Sequence, residues 1–100
     1  MPDTPYHQDA HIVDRVYRKY IVKTDIAPDL GVRTVYTFPN GWSASVLTGP
    51  RSYGTELCVL DRFLRPNYKT GVTGDVLPYL DGPELRDALK AVSELWPDVG

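Results

Sequence analysis

The sequence has one cysteine and one methionine in 100 residues, no excess of either charge, and no apolar run longer than a few residues. A lone Cys58 forms neither an internal disulfide nor a cysteine-based zinc site, so a reducing cytoplasm suits the chain. Eleven basic against thirteen acidic side chains give a formal charge of -2, which lacks the field that draws proteins onto nucleic-acid phosphates. Duplex binding is therefore disfavoured. Met1 to Gln8 has neither a basic n-region nor an apolar h-region, and nothing approaches the roughly 20 apolar residues of a membrane span. Neither export nor a membrane partner is expected. Internal repeats and low-complexity tracts are also missing, as is any cofactor-binding signature.

What is present is an ordinary globular composition, 42% hydrophobic and 24% charged, sized for one domain. Residues 1–11 are polar and aperiodic and read as a flexible arm, leaving 12–100 as the folded unit. From Ile12 to Lys23 the apolar residues Ile12, Val13, Val16, Tyr17, Tyr20 and Ile21 recur every three to four positions, predicting a helix with Arg15, Arg18, Lys19 and Lys23 on its back. The Val, Ile and Tyr content also lets the stretch from Tyr17 onward pass as a strand.

Val32 to Phe38 and Trp42 to Thr48 flank Pro39-Asn40-Gly41, a hairpin signal. A two-residue turn would set Phe38 against Ser43 and Tyr36 against Ser45. A three-residue loop instead opposes Phe38 with Trp42, Tyr36 with Ala44 and Thr34 with Val46, building one apolar face. Pro39 suits the second position of a type I turn and Gly41 the left-handed bulge that follows. Arg33, Val35, Thr37, Ser43, Ser45 and Leu47 then point away, toward water or a partner. Glu56 to Asp61 reads as a third strand, with a possible fourth around Phe63-Leu64 or Tyr68-Lys69. Asp81-Gly82-Pro83-Glu84 has the form of a helix start, followed by an apolar face of Leu85, Ala88, Leu89, Val92, Leu95 and Trp96 and a stop at Pro97. The expected fold is α+β: a three- to four-stranded antiparallel meander with the C-terminal helix packed on one face and an N-terminal helix or strand. Its expected core is Tyr36, Phe38, Trp42, Val46, Leu57, Val59, Leu85, Leu89, Val92 and Trp96.

The run Phe38-Pro-Asn-Gly-Trp-Ser-Ala-Ser-Val-Leu-Thr-Gly-Pro-Arg-Ser-Tyr-Gly54, then Glu56-Leu-Cys-Val-Leu-Asp61, then Asp75-Val-Leu-Pro-Tyr-Leu80 resembles a group of small proteins of tailed phages and prophages of actinobacteria. The similarity covers roughly residues 35–89 and departs at Ser43, where the group more often has Gly. It implies a phage-derived accessory protein in the host cytoplasm that binds and modulates another macromolecule, and it carries no catalytic residues across.

The residues themselves offer several sites. His7 and His11 have the spacing of a metal pair but lack further ligands, and read as a solvated tail. Ser43 and Ser45 stand outside any Gly-x-Ser-x-Gly elbow, and an enzyme built on them would have to recruit a histidine from the arm. Cys58, inside an apolar strand, reads as inert core. Asp61, Asp75, Asp81 and Glu84 are accounted for as strand-end, turn and cap residues. The loop Gly49 to Gly54 lacks the Gly-Lys-Ser/Thr of a phosphate-binding loop. Its Arg51, Ser52 and Tyr53 form the expected contact site for a protein partner, together with Arg33, Ser43 and Ser45 of the hairpin, because Arg and Tyr concentrate binding energy at interfaces. The alternative is a nucleic-acid-associated protein using Arg15, Arg18, Lys19 and Lys23. A homodimer is a further expectation, since short sheets with open edges pair with their copies. No enzymatic activity, metal or cofactor is expected.

Overall fold

A computed structural model describes residues 11–27, 29, 31–50, 54–72 and 77–98. Four strands, β1 (Ile21–Ala27), β2 (Gly31–Thr37), β3 (Ser43–Thr48) and β4 (Thr55–Leu60), pair in chain order as an antiparallel meander. One helix, α1 (Gly82–Ser93), lies on one face. The fold is α+β, as the patterning predicts, and no helix among the described residues is long and apolar enough to cross a membrane.

The hairpin between β2 and β3 closes with the three-residue loop. Gly41 donates its amide to Phe38 (3.0 Å), Phe38 donates to Trp42 (2.9 Å), and Gly41 takes a φ of 91°. Tyr36 consequently faces Ala44 and Thr34 faces Val46. Tyr36, Phe38, Ala44, Val46, Leu57 and Val59 on the sheet meet Leu85, Ala88, Leu89 and Val92 of α1 in one buried cluster. At roughly 2 kcal/mol for each fully buried large side chain, this cluster is the main stabilising term.

The helix begins where Asp81 and Glu84 form a reciprocal capping box, the Glu84 amide donating to the Asp81 carboxylate at 2.8 Å and the Asp81 amide to the Glu84 carboxylate at 3.0 Å. Its other end is capped from the hairpin. The Asn40 side-chain amide donates to the carbonyls of Val92 (2.9 Å), in the last turn of the helix, and Leu95 (3.2 Å), just beyond it. The Asn40 side-chain oxygen accepts from the Trp42 amide, and its main-chain carbonyl accepts from Asp98. One asparagine thus ties turn, helix end and C-terminal tail together.

Several expectations change. Ile12 to Lys23 is not an α-helix: Arg18–Tyr20 form a single 3-10 turn and Ile21 begins β1, the true fourth strand. The Asp14 carboxylate accepts from the Val16 and Tyr17 amides (2.9 and 3.0 Å), local bonds that compete with a continuous helix, and β2 offers the β-branched residues beyond a pairing edge. Phe63-Leu64 and Tyr68-Lys69 are not a strand, because Asp61 draws the chain into a tight loop. Its carboxylate accepts from the amides of Phe63 and Arg65, and Leu64 takes a φ of 62°. Val35 and Ser43 are buried, although they lie on the sheet face opposite α1. Trp42 is half-buried, and Trp96 is 89% exposed, because α1 ends at Ser93 and the chain beyond it leaves the helical path before the indole can reach the sheet. Cys58 is also half-buried, on the face away from the helix and 3.7 Å from the Tyr68 hydroxyl.

Replacing Asn40 with Ala is expected to destabilise the protein by about 2 kcal/mol, because the Leu95 carbonyl and the Trp42 amide lose their side-chain partner and the Val92 carbonyl keeps only the longer bond from the Leu95 amide. Thermal unfolding checks this against Asn67→Ala, which removes one exposed side-chain bond and should stay within about 0.5 kcal/mol.

Candidate functional site

Two regions gather chemically capable side chains. In the first, residues 11–20 cross the same sheet face that α1 covers. His11 bridges two threonine hydroxyls, Nε2 at 2.7 Å from Thr34 and Nδ1 at 3.0 Å from Thr48, and Thr48 in turn bonds Thr55 at 2.9 Å. A neutral imidazole fits this place, one ring nitrogen donating and the other accepting. Burial lowers the His11 pKa from its ordinary value, which keeps the ring neutral to lower pH. Thr34, Thr48 and Thr55 are all buried, so no substrate reaches the hydroxyls next to the base. The cluster ties His11, the last residue of the expected arm, onto the sheet.

Asp14 continues the same tether. It is buried, and it takes a charge-assisted bond from the Arg86 guanidinium of α1 at 2.9 Å while its amide donates to the Tyr36 hydroxyl at 3.1 Å. Burial raises the Tyr36 pKa most, and the nearby Asp14 charge raises it further against the lowering effect of the amide bond, so this hydroxyl stays protonated. A cleft of about 400 Å³ opens beside Asp14 and Arg86, lined also by Ile12, Arg15, Pro83 and Asp87. Its one buried carboxylate is already satisfied on both oxygens, and it holds no nucleophile.

The second region lies where β4 ends and the C-terminal tail returns. The Trp42 indole N–H donates to the Trp96 carbonyl at 2.7 Å, the Asp98 amide donates to the Asn40 carbonyl at 2.8 Å, and the Arg62 amide donates to the Asp98 carboxylate at 2.7 Å. The backbone around Trp96 is therefore fixed while the indole stands in water. Asp98 also joins it to the Arg62–Arg65 loop. There Arg62 and Arg65 stack on the Phe63 ring, their guanidinium carbons 4.7 and 5.0 Å from its centroid. Phe63 and Leu64 remain exposed. The Asp61 carboxyl that organises this loop feels some desolvation, which raises its pKa, but bonds from the Arg65 and Phe63 amides and the Arg65 charge outweigh it and hold the group below the usual carboxylate range.

The residues expected to form a site are not brought together as expected. Arg51, Ser52 and Tyr53 lie outside the described residues, as do His7 and Asp75. Arg33 is exposed and Ser45 half-buried, but Ser43 is buried with its hydroxyl 2.8 Å from that of Thr37, so it offers no contact surface. Ser43 and Ser45 face away from His11, so serine and imidazole never meet. The basic stripe dissolves with the helix: Arg15 precedes the 3-10 turn, Arg18 and Lys19 lie within it, and Lys23 sits in β1 paired with Asp25 at 3.5 Å. Among the described residues, no three His, Cys, Asp or Glu side chains converge as metal ligands would. Sequence reasoning missed the exposure of Trp96 and Phe63; the signal available for Phe63 was the Arg-Phe-Leu-Arg run at a strand end, next to an aspartate able to fold it outward. No protein family, curated protein or solved structure matches the chain.

The His11 cluster fixes the sign of a pH effect. The folded-state pKa lies below the unfolded value near 6.5, so the stabilisation is complete above that value and declines as pH falls through it toward the folded pKa. Melting temperatures of the wild type and His11→Gln between pH 7.5 and 5.5 test this: the wild type should lose more on acidification than the variant, whose amide keeps a donor and an acceptor but does not titrate.

Proposed function

We propose that the protein is a non-enzymatic accessory protein of a tailed phage or prophage, acting in the bacterial host cytoplasm, that binds and modulates another protein through Trp96 and the Arg62–Arg65 loop. The observation that carries this reading is Trp96: an indole 89% exposed on a backbone held by Trp42, Asn40 and Asp98. Placing a large apolar ring in water has a solvation cost, and a rigid backbone lowers the entropy lost when such a ring enters a partner's pocket. Trp, Phe and Arg are types enriched at interfaces, and Asp98, two residues after Trp96, bonds the loop that carries Arg62, Phe63 and Arg65. The partner surface that fits is an apolar pocket rimmed by carboxylates, which would take the indole and pair with Arg62 and Arg65. The motif resemblance of residues 35–89 supports the phage origin.

The Arg51–Tyr53 loop belongs to the same proposal as a second contact, tested separately by Arg51→Ala with Tyr53→Ala. The nucleic-acid alternative is favoured by no observation, since the helix that would align the four cations is not formed and Lys23 has an acidic partner.

The test is affinity purification of the tagged protein from an actinobacterial host, with mass spectrometry of the captured proteins. Trp96→Ala should weaken binding of the captured partner at least about tenfold, and Trp96→Ala with Phe63→Ala should abolish it, with the melting temperature unchanged. Equal recovery with wild type and the double variant overturns the assignment of this surface. Capture of nucleic acid that salt releases steeply overturns the protein-partner reading itself.

A further inference from the structure

The two edges of the sheet are treated differently, and main-chain parity shows how. The Phe38 amide bonds the Trp42 carbonyl, so the main-chain groups of Phe38 point to β3. Alternation along an antiparallel strand then directs Tyr36, Thr34 and Val32 toward β3, and Val35 and Arg33 toward β1. Lys23 and Asp25, opposite Val35 and Arg33, direct their main-chain groups to β2. Thr24 and Ile26 therefore direct theirs outward, to the free side of β1.

At the far edge the same parity turns Thr55, Leu57 and Val59 outward, and the chain itself supplies partners. Leu57 and Leu77 exchange two bonds of 2.9 Å, Asn67 donates to Val59 at 2.9 Å, and Leu80 donates to Thr55 at 2.8 Å. Among the described residues nothing pairs with the outer side of β1, and two of its apolar side chains are in water, Val22 at 63% and Ile26 at 79% exposure.

The sequence of this open edge is complementary to itself. β1 reads Ile-Val-Lys-Thr-Asp-Ile-Ala. An antiparallel copy centred on Thr24 places Lys23 opposite Asp25 and Val22 opposite Ile26, each twice by symmetry. We infer that the protein forms a twofold homodimer by β1-to-β1 pairing about Thr24, continuing the two sheets into one of eight strands. The two Thr24 residues exchange both main-chain bonds, the hydrogen-bonded position that their outward groups require. Lys23 and Asp25 of the partner subunit then fall in a non-hydrogen-bonded pair, where Cα atoms approach to about 4.5 Å and side chains interact most closely. On that face charges alternate across the seam, Arg33 beside Asp25 and Asp25 beside Lys23 of the partner subunit. On the other face Thr24, beside Thr34 of β2, meets its own copy, with Ile26 against Val22 of the partner subunit. The bulge between Ile21 and Lys23 ends the ladder at Val22. Edge charges and a bulge discourage pairing with an arbitrary strand. Here they leave the inverted copy as the strand that fits.

This dimer does not rest on the partner-binding reading, because the Arg62–Arg65 loop follows β4 at the opposite edge. The experiment is sedimentation velocity of the full chain over a range of concentrations. Wild type should pass from 11.2 kDa to twice that mass. Lys23→Glu and Asp25→Lys, each of which sets like charges face to face, should each weaken self-association about tenfold, while an equal mixture of the two variants recovers the dimer as a heterodimer. The double variant Lys23→Glu with Asp25→Lys, which restores opposite charges at both ends, should dimerise as wild type does. Wild type that stays monomeric up to about 1 mM overturns the inference. So does a dimer indifferent to the single variants, or a mixture of them that remains monomeric.

Discussion

The Asn40 carboxamide is the constraint on which the rest of the fold hangs. A four-stranded meander has one face to bury, and a single helix of 12 residues covers only part of it, so the position of that helix decides what remains. The capping box sets where α1 starts but says nothing about where it lies. Asn40 fixes the latter, because its two bonds to the Val92 and Leu95 carbonyls anchor the helix end to the tip of the β2–β3 hairpin. From there the tail must pass the hairpin loop, which is why Trp42 can hold the Trp96 carbonyl and why Gly41 has the Asp98 backbone close by. A Cβ at Gly41 would lie 3.1 Å from the Asp98 carbonyl oxygen.

The part of the sheet face left open by α1 is closed by residues 11–20, and it is closed largely with polar chemistry. His11 spans two threonines, Asp14 binds Arg86 and two amides, and the Tyr36 hydroxyl meets the Asp14 backbone. Tyr17 and Tyr20 then lie against Phe38, Tyr17 edge-on at 5.9 Å. A segment with a single 3-10 turn as its regular structure stays on the sheet because the buried polar groups of His11 and Asp14 find partners there, which avoids the cost of leaving such groups unpaired.

The hairpin, its loop length and register, the strand expected at Glu56 to Asp61 (β4), and the helix start were legible because each is written in local chemistry: turn residues, period-two alternation, and a cap with its glutamate. The N-terminal segment was not. Its spacing of Ile12, Val16, Tyr17, Tyr20 and Ile21 satisfies a helix equally well, and the deciding facts, the Asp14 turn and the β2 edge, are contacts over distance. Trp96 was misplaced for a related reason: periodicity extends a helical face for as long as apolar residues recur, whereas the actual end is set by an asparagine more than fifty positions away. Burial of Val35 and Ser43 shows the limit of alternation as a guide to exposure. Of the expected partner site, only Arg33 and Ser45 keep accessible surface among the described residues.

The segments Pro66–Asn67 and Leu77–Leu80, which bond to the outer side of β4, have a consequence for assembly. A sheet with two unsatisfied borders is a monomer unit for polymerisation, since each addition regenerates the border it consumed, and fibres grow without limit. With one border occupied covalently by its own chain, an association at the other uses up all remaining valence in a single step. Growth stops at a closed pair, and these segments act as a chain terminator built into the polypeptide.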